Sequence, residues 1–231
     1  MAACVPIHEP VSGAPEKVAP SGSGKEIAGR VVVGSPDDSL MDLMARVLGD
    51  TEDVWRALFV AMRKDPYPEP RLVLYANLLA SPCGILKNEI YVFYCSDDRK
   101  VYVNITRMRI LSQRARSPGD FSIAFLIVHE MSHHVQNVLG TTQQFDRSIA
   151  ELEGPSRAQM RMNFELQADC YAGVWAHFAQ QRKIIEVGDL ELGLPAALAT
   201  GDAKAMPSAV GRVHWFERGR SAGDPRACDT S

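Results

Sequence analysis

No stretch of the chain approaches the roughly 18 consecutive apolar residues that a membrane-spanning helix needs, which excludes a helical membrane bundle. Nor is positive charge in excess. Lys and Arg number 25 against 28 Asp and Glu, a formal net charge of −3. No basic field awaits nucleic acid or an anionic membrane. No internal repeat is visible. What remains is ordinary: 231 residues, 46% apolar and 23% charged, enough for one domain with a full hydrophobic core and a tail. Five cysteines leave one without a partner if the others pair.

Residues 1–35 read as a flexible Pro/Gly/Ser-rich linker and 36–231 as the domain. Pro6, Pro10, Pro15 and Pro20 alternate with Gly13, Gly22, Gly24 and Gly29, and no regular period survives that punctuation. After Ser35-Pro36-Asp37-Asp38 the spacing of Leu40, Leu43, Met44 and Val47 predicts a helix, and Val54, Leu58 and Ala61 predict a second over 51–62. Strands are expected at Arg71–Ala80, Ile90–Tyr94 and Val101–Ile105, the last two joined by the turn Ser96-Asp97-Asp98-Arg99. Ser117-Pro118-Gly119-Asp120 carries the signature of a helix start, and Gly140 a stop signal. A further helix is predicted over about 156–181. A shorter one after Asp189 would be kinked by Gly193 and Pro195. The fold class is α+β: a small antiparallel sheet or hairpin followed by a helical part.

Within the long helix lies His129-Glu130-Met131-Ser132-His133, the pattern H-E-x-x-H. Four residues advance a helix by roughly 400°, so the two histidines share a face one turn apart and can converge on one Zn²⁺. Zinc lowers the pKa of a bound water to roughly 7, and Glu130 lies close enough to take its proton. Ile127, Val128, Met131 and Val135 place the pattern on a half-buried helix rather than a polar loop.

A catalytic zinc needs a third protein ligand and an open fourth position. His8 falls in the linker. His134 points ~100° away from His133 and reads as a polar group at the pocket rim or in solvent. His177 reads as ordinary packing. A carboxylate is therefore the better third ligand. Glu165 and Asp169, at i and i+4 on the next helix, share a face among Phe164, Leu166, Ala168, Cys170 and Tyr171. One can bind zinc while the other accepts the free ring N–H of a ligand histidine. Spacing alone leaves open which does which.

The segment from Gly119-Asp120-Phe121 through His133-His134-Val135-Gln136-Asn137 resembles the neutral zinc metallopeptidases of bacteria, which share the downstream glutamate of gluzincins. Asp50-Thr51-Glu52-Asp53-Val54-Trp55, Arg71-Leu72-Val73-Leu74 and Tyr94-Cys95 leading to Lys100-Val101-Tyr102 fit the same family. So do Glu165 through Trp175 and the tail from Gly223-Asp224-Pro225 to Cys228-Asp229-Thr230. The resemblance covers about 40–231. It implies a zincin-like fold, one zinc ion held by His129, His133 and Glu165, Glu130 as general base, and Asp169 as the partner of His129. It also implies hydrolysis of a peptide or protein substrate. The strand near Val101–Ile105 would lie beside the cleft, its edge open to an extended peptide. One departure stands out: Met206-Pro207-Ser208 occupies the place of a His-Gly-(Ser/Thr) segment. If that histidine stabilises the oxyanion, its loss costs roughly 10²–10³ in rate. His214 and Tyr171 are the candidate substitutes.

Cys83 and Cys95 flank the first hairpin strand and match family positions. Cys170 and Cys228 lie in two further family-like stretches. The expected disulfides are Cys83–Cys95 and Cys170–Cys228, one of three pairings of four cysteines, and they would place the domain outside the cytoplasm. Met1-Ala2-Ala3-Cys4 resembles the last residues of a lipoprotein cleavage site. Cys4 would then be lipidated in a longer precursor and the N-terminal segment would serve as a membrane tether; the alternative is a free tail cysteine. The leading function is a zinc-dependent endopeptidase with no nucleic-acid partner. The alternative is a catalytically weak or silent zinc-binding module of the cell envelope that binds peptides or partner proteins.

Overall fold

The computed structural model describes residues 25–27, 39–114, 119–185 and 207–230, with isolated positions 188, 190 and 194. The expectations for Cys4, His8, the Ser117-Pro118 helix start, the helix after Asp189 and Met206 lie outside the described residues. Strand β1 spans Lys25–Ile27 and helix α1 Ser39–Ala61. Strands β2 (Arg71–Tyr75), β3 (Leu79–Ser81), β4 (Gly84–Leu86), β5 (Val92–Cys95) and β6 (Lys100–Asn104) follow. Helices α2 (Ile105–Arg114), α3 (Gly119–Val138), α4 (Thr141–Ala150), α5 (Gly154–Gln181) and α6 (Ala209–Ala222) come next, with a final 3₁₀ turn at Pro225–Cys228. The class is α+β, as expected.

Several elements differ from the expectation. The two helices predicted before residue 62 are one, α1, which runs straight through Gly49. A mid-helix glycine costs about 1 kcal/mol, and burial of Val47, Leu48, Thr51, Val54 and Trp55 on a common face outweighs it. The strand expected over Arg71–Ala80 ends at Tyr75, and Leu79–Ser81 turns back as a separate hairpin with β4. Lys25–Ile27, inside the segment read as linker, pairs antiparallel with β2.

The main sheet has the order β1-β2-β6-β5 and is mixed rather than antiparallel throughout: β2 and β6 run parallel, β5 and β6 antiparallel. The expected edge strand, 101–105, is therefore central. The edge beside the helices is β5.

Side chains alternate across the sheet as the two-residue period requires. Leu72, Val92, Tyr94, Val101 and Val103 join the core under α1 and α3. Val73, Tyr75, Phe93, Cys95 and Tyr102 form a second cluster with Leu86 of the β3–β4 hairpin. The hairpin thus covers the face turned away from the helices, and the Cys83–Cys95 disulfide fastens it to β5.

Helix α3 is the centre of the molecule, buried along 121–137. Helix α5 crosses it, and α6 lies against α5 at backbone contact. A Cβ on Gly173 would fall 1.9 Å from Phe216 O, and one on Gly219 would fall 1.9 Å from Cys170 O. The second disulfide, Cys170–Cys228, ties the C-terminal turn to α5. Both expected pairings are present.

Candidate metal centre

Helices α3 and α5 bring three ligand groups together. His129, His133 and Glu165 each offer an atom, and these atoms lie within 4.8 Å of one another. His129 Nε2 is 3.2 Å and His133 Nε2 3.6 Å from Glu165 Oε2. Metal bonds of 2.0–2.2 Å at tetrahedral angles separate ligand atoms by about 3.3 Å, so the three donors fit one zinc ion. All three residues are buried.

The outward ring nitrogens fit as well. His129 Nδ1 faces Asp169 Oδ1 at 3.0 Å, and His133 Nδ1 lies 2.8 Å from Gln136 Oε1. A proton on each Nδ1 donates to these acceptors and leaves each Nε2 lone pair for the metal.

The supports are themselves held. Gln136 Nε2 donates to Phe164 O at 2.8 Å and to Gln167 Oε1 at 3.0 Å, which fixes which end of its amide accepts from His133. Asp169 receives a two-pronged ion pair from Arg212 of α6: Nε to Oδ2 at 2.7 Å and Nη2 to Oδ1 at 2.8 Å. The Arg212 guanidinium sits 5.7 Å from the centre of the Phe125 ring and is buried. Thus a chain of contacts runs from α6 through Asp169 to the first histidine of the pattern.

Electrostatics follow from burial and opposed charge. Burial alone would raise Glu165, but the facing His133 and His129 outweigh it and hold the carboxyl well below its usual range. Asp169 is likewise lowered, burial being outweighed by Arg212. Glu130 behaves oppositely: burial dominates and pushes it up. One of its oxygens, Oε2, accepts the backbone N–H of Tyr94 at 2.8 Å.

His134 is not at a rim or in solvent. It is fully buried, between the rings of Tyr67 at 5.5 Å and Tyr94 at 5.3 Å. Its Nε2 donates to Pro68 O at 2.6 Å, and its Nδ1 meets Tyr94 Oη at 3.0 Å. Burial lowers its pKa to about 4, so it is neutral. The rotation around α3 had correctly removed it from the chelate, but the space it turns into is filled by protein.

His177 is held by Arg220 O at 2.9 Å through Nδ1, a packing role. The two candidate oxyanion stabilisers do not join the cluster. His214 is exposed, two residues and so about 200° round α6 from Arg212. Tyr171 packs edge-on to Trp55 at 5.3 Å, beside the Cys170–Cys228 bridge.

Beside His133, Phe164 stacks on its ring at 5.4 Å and on Phe145 at 4.4 Å. The two phenylalanines line a cavity of about 390 Å³ between α4, α5 and the C-terminal segment. Gln136, Arg212 and the Tyr94 N–H had no role assigned from sequence. The first was signalled by its place one turn after His133, and the second by an arginine four residues before Phe216 and seven before Gly219, on the buried face of α6.

Residues 12–231 match the family model described as "Putative neutral zinc metallopeptidase". The chain is 36% identical over 211 residues to the uncharacterized protein YpfJ of Escherichia coli strain K12, a match spanning 84% of this chain and 72% of that one. It is 32% identical over 202 residues to the uncharacterized protein Mb2605 of Mycobacterium bovis, spanning 77% and 66% respectively. No solved structure gives a significant match.

Proposed function

Since the chain belongs to the neutral zinc metallopeptidase family, we propose that it is an endopeptidase in which His129, His133 and Glu165 hold one Zn²⁺ and Glu130 is the general base. The observation that carries this reading is the convergence of the three ligand atoms, each histidine having its other nitrogen turned to an acceptor. Bound zinc supplies a Lewis acid that polarises the scissile carbonyl and acidifies water. Glu130 takes the proton from the attacking water and returns it to the leaving amine. Asp169 orients His129, Arg212 anchors Asp169, and Gln136 orients His133.

Substrate binding would use the free side of β5. Asn104 N–H donates to Tyr91 O at 2.9 Å, so in this antiparallel pair the odd residues of β5 bond to β6. Val92 and Tyr94 turn their N–H and C=O outward, and Tyr94 N–H is taken by Glu130. An extended peptide can pair with the outward groups of Val92, while the cavity beyond Phe164 receives a side chain. The two disulfides support a site of action outside the cytoplasm.

The test combines zinc content by mass spectrometry with hydrolysis of quenched fluorescent casein. Wild type is expected to bind one zinc per chain and to cleave. His133→Ala and Glu165→Ala should lose the metal. Glu130→Gln should keep it and lose about 10²–10⁴ of the rate. Full zinc in wild type with no cleavage of casein or of a peptide panel would favour the silent envelope module instead.

A further inference from the structure

The structure points to a second layer behind the general base. We propose that His134, Asn137 and the Tyr94 phenol form a clamp that positions the Tyr94 backbone N–H on Glu130, and so aims the general base. This rests on the peptidase reading for its kinetic consequence but not for its geometry.

An edge strand has no neighbour to fix it on its outer side, so β5 would be free to shift away from α3. Its Tyr94 N–H reaches across to the Glu130 carboxylate, donating to Oε2 at 2.8 Å. What stops the shift is at the far end of the same residue. Tyr94 Oη receives Asn137 Nδ2 at 2.7 Å and lies 3.0 Å from His134 Nδ1.

The proton positions are determined. His134 Nε2–H must donate to Pro68 O, which can only accept, so neutral Nδ1 accepts from the phenol. The phenol, having donated, accepts from Asn137. Asn137 is fixed in turn by Gln143 Nε2, which donates to its Oδ1 at 2.6 Å, and it also donates to Ser96 O at 3.2 Å, in the turn that follows β5. Every donor therefore has a matching acceptor. Residues 134 and 137 lie on α3, the helix that also carries Glu130. Strand and base are thus tied at two points, one through the Tyr94 main chain and one through its side chain.

On the opposite face of β5 the Cys83–Cys95 bridge fixes the neighbouring residue to the hairpin. Tyr94 is consequently held from both sides of the sheet. A carboxylate with one oxygen pinned by an N–H presents the other in a defined direction. Misplacement of such a group by about 1 Å can cost on the order of 10² in rate.

The experiment has a kinetic arm and an exchange arm, on the zinc-loaded chain. Tyr94→Phe removes the hydroxyl and keeps the ring and the backbone N–H. His134→Ala removes one jaw of the clamp. His134→Gln keeps an amide able to donate to Pro68 O and accept from the phenol. On quenched casein, Tyr94→Phe and His134→Ala should lower kcat about 10- to 100-fold with zinc complete and KM within about twofold of wild type. His134→Gln should lose less than His134→Ala. In amide hydrogen exchange, residue 94 should exchange at least about tenfold faster in Tyr94→Phe and His134→Ala. Phe93 and Cys95, bonded to β6, should keep their protection.

Unchanged kcat in Tyr94→Phe at full zinc overturns the proposal. So does residue-94 protection equal to wild type in that variant. Should His134→Ala fail to fold, Tyr94→Phe decides alone. If wild type cleaves nothing, the peptidase reading fails, and the exchange arm still decides whether the clamp exists.

Discussion

Glu52 shows how a single side chain can set the behaviour of the protein away from the candidate metal centre. It is buried on α1 with Oε1 lacking any partner among the described residues. Burial, and then the nearby Glu69, raise its pKa from 4.5 to about 7. The folded state thus holds this proton more tightly than the unfolded chain does. Its contribution to stability is complete below about pH 4.5 and is lost as pH rises through about 7. With part of the effect screened by solvent, about 2 kcal/mol is at stake. Glu52→Gln should therefore flatten the fall in Tm between pH 5 and 8 and should be the more stable form at pH 8. Parallel Tm profiles for the two proteins would show that the carboxyl titrates normally. The same contrast between sequence and surroundings runs through the metal site. The convergence of His129 and His133 was legible because spacing within one helix puts both on one face. Glu165 and Asp169 were legible as a pair, since both lie on one face of α5. Their division of labour was not legible from spacing, because it depends on Arg212, 43 residues beyond Asp169. His134 was misread for a related reason: helix rotation gives a direction, and only the fold says that Tyr67 and Tyr94 wait there.

Among the elements, the pair α5 and α6 makes the strongest demand on sequence. Gly173 and Gly219 each face the other helix's backbone with no room for a methyl group. That close approach is what carries Arg212 to Asp169. Gly219→Ala or Gly173→Ala must push the helices apart, and overpacking of this kind costs about 3 kcal/mol. Denaturant titration should show that loss. Zinc affinity should fall with it, because Asp169 loses the guanidinium that holds it toward His129; a 10- to 100-fold loss is the usual scale for disturbing such a support. Unchanged zinc affinity in a destabilised but folded variant would mean that Arg212 does not act through Asp169. Elements whose signals are local were readable from the chain: the β5–β6 hairpin with its four-residue turn, α3, and α5 almost to its ends. The rest depends on neighbours or on caps whose full role only the fold shows. Asn104 ends β6 and at once caps α2, accepting Arg107 N–H at 3.1 Å. Gly140 stops α3 and also opens α4 in a left-handed conformation, φ 84°. Ser208 caps α6 through Gly211 N–H, and Gly223 closes it at φ 60°. The parallel pairing of β2 with β6 had no local signal, since a crossover brings together residues nearly thirty apart.

At the scale of the whole molecule, the two disulfides link stability to the compartment in which the protein can work. Cys83–Cys95 closes a loop with a separation of 12 residues, and Cys170–Cys228 one with a separation of 58. Loop-closure entropy in the unfolded chain makes these worth about 3 and about 4 kcal/mol. The bridges lie on different parts of the structure, so their effects should add, giving about 7 kcal/mol together. A domain of this size has a total stability of roughly 5–15 kcal/mol, so removing both consumes much or all of it. The bridges also hold elements of the site. One fixes the edge strand next to Tyr94, and the other starts one residue after Asp169. Guanidinium denaturation should place the midpoint of Cys170→Ala/Cys228→Ala below that of Cys83→Ala/Cys95→Ala, in the order of loop length. Reductant should lower the wild-type midpoint further than either pair of substitutions. Chain produced in a reducing cytoplasm should accumulate largely unfolded, while chain exported to an oxidising compartment should fold and take up zinc. A midpoint indifferent to reductant would break this link and remove the physical ground for placing the protein outside the cytoplasm.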